Sequence, residues 1–220
     1  MGEQVLNVPE MVFFDWDGTL VDSYGFLNDA HGFVLDALGF PPFKEGEYKQ
    51  YFGMPREILY PKIYKDKGEE AKALFESYVF DNAHKIQRME GADVLLEALD
   101  AMDIPMGVIS NKKADYIRKE AQHLGWGDYF SVVVGAGDAP EDKPSAAPMH
   151  HALSLMEARP RGEKIWLVGD TGNDLACARA FGCVPVFIEG HKDTPVLIET
   201  YKPAISAKNC AAVQKILVAL

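Results

Sequence analysis

Cysteine is scarce in this chain. The three present, Cys177, Cys183 and Cys210, are odd in number and form no CxxC pair. Disulfide scaffolding is thereby excluded, and a reducing cytoplasm is the expected setting. Positive charge is also in short supply: 22 Lys and Arg face 33 Asp and Glu, giving a net charge of −11, with no block of five or more like charges. An acidic surface of this kind argues against non-specific binding to nucleic acid or to an anionic membrane. An anionic substrate would have to be drawn in locally, by a metal ion or a few placed cations. No stretch approaches the ~20 apolar residues of a membrane span. The opening MGEQVLNVPE lacks the basic and apolar regions of a signal peptide. Position 6 is Leu, not the Ser or Thr that myristoylation after Met-Gly requires. Repeats and low-complexity tracts are missing, and the sequence carries no mark of an oligomeric state.

What remains is ordinary globular material, 48% apolar and 25% charged over 220 residues, enough for one sizeable α/β core plus an insertion or for two small domains. Five short apolar runs stand out: 11–15, 105–110, 130–137, 164–170 and 184–190. They are continuous rather than alternating, as expected of parallel strands covered on both faces. Helical spacing fills most gaps from residue 91 onward, with Val94, Leu95, Ala98, Leu99 and Met102 expected on one buried face. Strand and helix in alternation is the pattern of βαβ units and a doubly wound, Rossmann-like parallel sheet. From Thr19 to Ile104, between the first run and the second, there are 86 residues, far more than the dozen or so a crossover needs. Residues 22–90 are therefore expected to be an inserted, mostly helical cap, with 1–21 and 91–220 forming the core. Within the insertion, Phe26, Ala30, Phe33, Val34, Ala37 and Leu38 define a helix face, with Ser23 available as N-cap. A second helix is expected over 69–87. A weak sixth strand is expected near Ala204–Ser206.

Ligands of open parallel sheets bind beyond the carboxyl ends of the strands. Those ends carry a consistent chemistry. The first run ends at Asp15, with Asp17 two residues on, followed by Gly18 and Thr19. The second ends at Ser110-Asn111. After the third comes a loop with Lys143, and the fourth ends at Asp170, with Asp174 close behind. Several carboxylates meeting at one edge cannot all ionise without a cation. A hard divalent ion with oxygen ligands relieves this, and Mg²⁺ is the natural one. The same set suits phosphoryl transfer. Asp15 can attack phosphorus, Asp17 can trade a proton with the leaving oxygen and water, and Lys143 and Ser110 can offset charge on the transferring group.

The ordered segments DWDGTLVDS, VISN, EDKPSAAP and VGDTGNDLACA resemble the four motifs of the haloacid dehalogenase-like hydrolase superfamily. The resemblance spans about 10–190, with the insertion where that superfamily carries a type-1 helical cap. It implies Asp15 as nucleophile, Asp17 as acid/base, Ser110 and Lys143 as phosphate-facing groups, and Asp170 with Asp174 as the acidic pair. It also implies Mg²⁺ held by the Asp15 and Asp170 carboxylates and the Asp17 backbone carbonyl. Members that dehalogenate or cleave phosphonates lack the second Asp. Its presence here implies transfer from an oxygen leaving group, which is phosphatase or phosphomutase chemistry. The cap position and the SNK of the second motif resemble phosphoglycolate phosphatase, which implies a small phosphorylated metabolite as substrate.

Each residue also has a plainer reading. Asp-x-Asp-Gly is a common turn, Ser110 and Asn111 could cap a helix, and Asp174 suits a helix N-terminus. Arg56 in the insertion fits either a substrate anion or a surface ion pair. The adjacent His150 and His151 point apart on a helix and read as structural. Gly18, Thr19 and Asn111 join Arg56 as candidate substrate-binding residues. Two rival functions stay open: a phosphosugar mutase of the β-phosphoglucomutase type, and a non-catalytic phosphate- or metal-binding regulatory module.

Overall fold

A computed structural model describes residues 6–52, 54, 56–190 and 193–220. The chain divides into two compact units. One is built from the residues up to Asp22 and those from Gln87 onward; the other is Ser23–Ile86.

In chain order the elements are β1 (Met11–Phe14), β2 (Val21–Asp22), α1 (Tyr24–Ala37), α2 (Arg56–Tyr64), α3 (Gly68–Asp81), β3 (Gln87–Arg88) and α4 (Ala92–Ala101). There follow β4 (Met106–Ile109), α5 (Ala114–His123), β5 (Phe130–Val134), α6 (Ala147–Leu155), β6 (Ile165–Gly169) and α7 (Gly172–Phe181). Last come β7 (Val184–Ile188), α8 (Thr194–Tyr201), β8 (Ile205–Ala207) and α9 (Cys210–Val218). Six strands form one sheet in the order β5-β4-β1-β6-β7-β8, every pair parallel. Strand β1 is central, and all of Met11, Val12, Phe13 and Phe14 are buried because sheet neighbours and helices cover them on every side. Its continuous apolar run is what a two-sided burial requires. The chain winds outward through β4 and β5, returns beside β1 as β6, and winds the other way. The sheet's switch point thus lies between β1 and β6, where a crevice opens beyond the carboxyl ends. Packing beneath that edge joins Phe13, Ile109, Val134, Met149, Leu167 and Cys177 in one core.

The sheet is the expected doubly wound α/β core, and its sixth strand is β8, hydrogen-bonded to β7 at Val186, Phe187 and Ile188. Several local expectations need correction. The buried side of α4 is Ala92, Leu95, Leu96 and Leu99, whereas Val94 and Met102 are exposed. In α1 the buried set is Phe26, Ala30, His31, Val34 and Leu35, leaving Phe33 and Ala37 exposed. Both errors have one cause: an apolar side chain at a face edge can lie on either side of the true contact line. Ser23 is the N-cap residue, but its backbone is already helical (φ −95°, ψ −7°) and its side chain makes no cap bond. A capping hydroxyl needs the extended conformation to reach the first free amides. The ribbon pairing β2 with antiparallel β3 has no sequence signal, being two residues long on each side.

In the helical unit α1 packs on α3. His31 is the centre of an aromatic cluster: its ring lies 4.7 Å from Phe75, 5.2 Å from Tyr48 and 5.9 Å from Tyr64, centroid to centroid. Burial, with the Arg56 guanidinium adding to it, pushes the His31 pKa down to about 3. The imidazole is therefore neutral and bonded to the Tyr64 hydroxyl. Among the described residues, no helix is long and apolar enough to cross a membrane.

Candidate active site

Strand β1 ends one residue before Asp15, whose N–H donates to the Val168 carbonyl at 2.8 Å, so the sheet ladder itself sets the start of the loop. The loop is tight. The Trp16 carbonyl accepts from the amides of Thr19, Leu20 and Val21, and Gly18 N–H donates to Val21 O at 2.8 Å. Gly18 has φ +85°, and a Cβ there would stand 2.4 Å from Asp170 Oδ2. Glycine is needed both for the backbone sign and for the close approach of the Asp170 carboxylate. Thr19 is wholly buried and its hydroxyl donates to Asp170 Oδ1 at 3.1 Å.

Asp170 follows β6, the other wall of the switch-point crevice. Carboxylate oxygens of Asp15, Asp170 and Asp174 all lie within 4.8 Å of one another, and all three residues are buried. Asp174 occupies the first turn of α7. Its Oδ2 accepts from the Thr171 N–H at 2.9 Å and hydroxyl at 2.6 Å, closing a capping box. Its Oδ1 accepts from Lys143 Nζ at 2.6 Å. The plainer reading of Asp174 as a helix-start residue therefore holds alongside its place in the acidic cluster. Lys143 Nζ also donates to Asp15 Oδ1 at 2.7 Å, and the lysine side chain is only 2% exposed. Those two carboxylates keep the ammonium charged, raising its pKa despite burial. Burial pushes the Asp15 pKa up to about 6, partly offset by Lys143 and reinforced by Asp174. Asp170 rises well above the usual carboxylate range, through burial first and then the Asp15 and Asp174 charges.

Asn111 is exposed, and both ends of its amide are occupied by the Lys143 backbone, Nδ2 donating to the carbonyl at 2.9 Å and Oδ1 accepting from N–H at 3.0 Å. Its visible work is to tie the loop after β4 to the loop bearing Lys143. Ser110, 7% exposed at the end of β4, donates its N–H to Val134 O. Its hydroxyl accepts from the Lys112 N–H at 3.3 Å, so Ser110 stands at the strand end beside that of β1. Arg56 belongs to the helical unit. There it pairs with Glu76 at 3.2 Å and lies over the rings of Tyr60 and Phe75. His150 is exposed, and its ring lies 4.9 Å from that of Phe181 at a tilt of 59°.

One charged group went unread in the sequence. Lys112, one residue past Asn111, donates to Asp17 Oδ1 at 3.1 Å and reaches the buried Glu120 at 2.7 Å. A pointer existed: Glu120 falls on the apolar side of α5 among Ala114, Ile117 and Ala121, and a buried carboxylate needs a cation.

The arrangement is therefore an all-oxygen acidic cluster of three carboxylates at the switch point, with one buried lysine inside it and a fourth carboxylate, Asp17, held separately. A family model described as haloacid dehalogenase-like hydrolase matches residues 12–188. The chain belongs to the haloacid dehalogenase-like hydrolases. It is 30% identical to the phosphoglycolate phosphatase of Chromobacterium violaceum, covering 84% of this chain and 88% of that one. Identity to the phosphoglycolate phosphatase of Nitrosococcus oceani is 32%, over 80% and 82% of the two chains. Among solved structures, a haloacid dehalogenase-like hydrolase of Streptococcus pneumoniae superposes with a TM-score of 0.78 at 26% identity, covering 94% and 98%. Within this family the chain is an enzyme, a phosphoric monoester hydrolase.

Proposed function

We propose that this haloacid dehalogenase-like hydrolase is a Mg²⁺-dependent phosphatase of a small metabolite, acting through an aspartyl-phosphate on Asp15. One observation carries the reading. Asp15 and Asp17 sit two residues apart in one loop yet are held by different lysines, Lys143 and Lys112, in different surroundings. Paired carboxylates whose environments differ divide naturally into separate roles. Asp15 is buried and fixed by Lys143, as suits a nucleophile; the Asp17 side chain is 25% exposed and can exchange protons with solvent. In the first step an Asp15 oxygen bonds to phosphorus and the bond to the ester oxygen breaks, Asp17 supplying that oxygen with a proton. In the second, Asp17 takes a proton from water as its oxygen displaces Asp15 from phosphorus. On this reading Lys143 gives the phosphoryl oxygens positive charge and Ser110 gives them a hydrogen-bond donor.

The residues fit a hard divalent cation. Three buried carboxylates carry more charge than Lys143 balances, and every donor is oxygen. Asp15 and Asp170 are the direct ligands on this reading, joined by the Asp17 carbonyl. Asp174, already engaged by Lys143 and Thr171, supports them from behind. Bound there, Mg²⁺ supplies charge neutralisation that lets an anionic ester approach an anionic nucleophile.

The substrate class rests on the relatives, which are phosphoglycolate phosphatases. We assign the helical unit, including Arg56, the choice of substrate, and we place the enzyme in the cytoplasm in keeping with its three unpaired, buried cysteines. The test is phosphate release from p-nitrophenyl phosphate, phosphoglycolate and sugar phosphates, with Mg²⁺ and with chelator, beside Asp15→Asn. Release from phosphoglycolate that needs Mg²⁺ and is lost in Asp15→Asn supports the reading. Turnover indifferent to both treatments overturns it. Conversion of β-glucose 1-phosphate to its isomer without phosphate release would instead make the protein a mutase. Inactivity on every ester would favour the regulatory module.

A further inference from the structure

The buried charges that the reaction above leaves unused are Lys112 and Glu120. Glu120 is fully buried on the side of α5 that otherwise presents Ala114, Ile117 and Ala121 to the core. Burying a carboxylate costs several kcal/mol even when paired, and an apolar residue of like volume often serves stability better. A charge kept in such a place therefore calls for a purpose other than packing.

Its contacts supply one. Trp16, the residue between Asp15 and Asp17, donates its indole N–H to Glu120 Oε2 at 2.6 Å. The indole is wholly buried and wedged edge-on against Trp126 and Phe130, each with ring centroids 6.0 Å away. Glu120 thus has an immobile partner on one side. On the other, Lys112 Nζ lies 2.7 Å from Oε1 and 2.8 Å from Oε2. The same ammonium donates to Asp17 Oδ1 at 3.1 Å, and the Lys112 side chain is only 10% exposed. Among the described residues none bonds Asp17 Oδ2. The scheme repeats the one at Asp15, where Lys143 is shared between that carboxylate and Asp174, itself anchored by Thr171. Each carboxylate of the DWD segment is held by a lysine, and each lysine by a second, anchored carboxylate.

We propose that Trp16, Glu120 and Lys112 form a clamp that fixes the Asp17 carboxylate by one oxygen and presents the other to the ester oxygen, making Lys112 a positioning residue for proton transfer. The inference rests on the reading of Asp17 as the acid/base group. Without the clamp, Asp17 sits on a partly exposed loop with a free side-chain torsion. A displacement of about 1 Å in a reacting group can cost about a hundredfold in rate.

The test is a double-mutant cycle on the Mg²⁺-loaded enzyme, using Lys112→Met, Asp17→Asn and the pair. kcat and KM are measured on phosphoglycolate, an alkyl ester whose leaving oxygen needs a proton, and on p-nitrophenyl phosphate, whose leaving group does not. For Lys112→Met the expected loss in kcat is about a hundredfold on the alkyl ester and under about fivefold on the aryl ester, with KM changed less than about threefold. In the Asp17→Asn background, Lys112→Met should cost nothing further, because the residue it positions has lost its proton-transfer role. Glu120→Gln keeps an acceptor for the Trp16 N–H while loosening Lys112. It should show the same ester preference in weaker form, and it carries the test should Lys112→Met fail to fold. Equal losses on both esters, or losses that multiply in the double variant, would overturn the clamp and leave the Asp17 assignment standing. Should Asp17→Asn itself lose no more on the alkyl than on the aryl ester, the acid/base reading falls and the clamp falls with it.

Discussion

Replacing the proposed nucleophile should make the metal-free protein more stable. Burial is the largest influence on Asp15 and lifts its pKa from 3.8 to about 6, even with Lys143 2.7 Å away. At about 1.4 kcal/mol per tenfold change in proton affinity, ionised Asp15 in the folded state costs about 3 kcal/mol. The pH window follows from the direction. Below pH ~4 the carboxyl is protonated in both states and the cost vanishes. It grows as pH rises through the folded value near 6 and is complete above it. Asp15→Asn, which mimics the protonated group, should therefore exceed the wild type by about 3 kcal/mol at pH 7.5 in chelator, with the gap closing toward pH 4. For a chain of this size that corresponds to a Tm higher by about 6–12 °C. The three tryptophans, Trp16, Trp126 and Trp166, are all buried in the sheet unit. Urea unfolding followed by their fluorescence therefore reports on the unit in question. Saturating Mg²⁺ should narrow or reverse the gap, because the ionised Asp15 gains a cation that the amide cannot match. A variant no more stable than wild type at pH 7.5 in chelator, or a gap that ignores pH, would refute the electrostatic reasoning.

Two further outcomes follow from single residues. Gly18→Ala places a methyl group 2.4 Å from Asp170 Oδ2 at a backbone φ of +85°. It should cost about 1–3 kcal/mol in stability and weaken Mg²⁺ binding, read by calorimetric titration; wild-type metal affinity in this variant would contradict the close approach. His31, held neutral with a pKa of about 3, should oppose folding increasingly as pH falls below about 6.5, where the unfolded imidazole takes up a proton. The loss reaches about 2 kcal/mol by pH 5. His31→Gln should lack that loss, so that the variant gains about 2 kcal/mol on the wild type between pH 7 and 5; an unchanged slope in denaturant titrations over that range would rule it out.

The sheet core was legible because its signals are one-dimensional. Continuous apolar runs specify buried parallel strands, and the residues at their ends specify what the sheet edge carries. Asp15, Ser110, Lys143 and Asp170 could all be read from those ends without knowing the strand order. Helix faces were read less well. Phe33 and Val94 fit an apolar stripe by spacing, yet lie exposed, because the neighbouring element selects which edge of the stripe it covers. Ser23 failed as a side-chain cap for a related reason, since capping depends on a backbone angle and not on residue type.

The amino-acid sequence by itself determined the family, the doubly wound sheet and the carboxylates that its strand ends deliver, because each depends on residues near one another along the chain. Only the tertiary structure decided which cation serves which carboxylate. Lys112 and Glu120 are neighbours on α5 and its approach, but Trp16 and Asp17 lie about a hundred residues away. Pairings across such separations are set by how strands stack beside β1 and by how closely glycine lets them approach. No periodicity records that, because the energy of a buried ion pair depends on ångström-scale distances that exist only once the chain is folded.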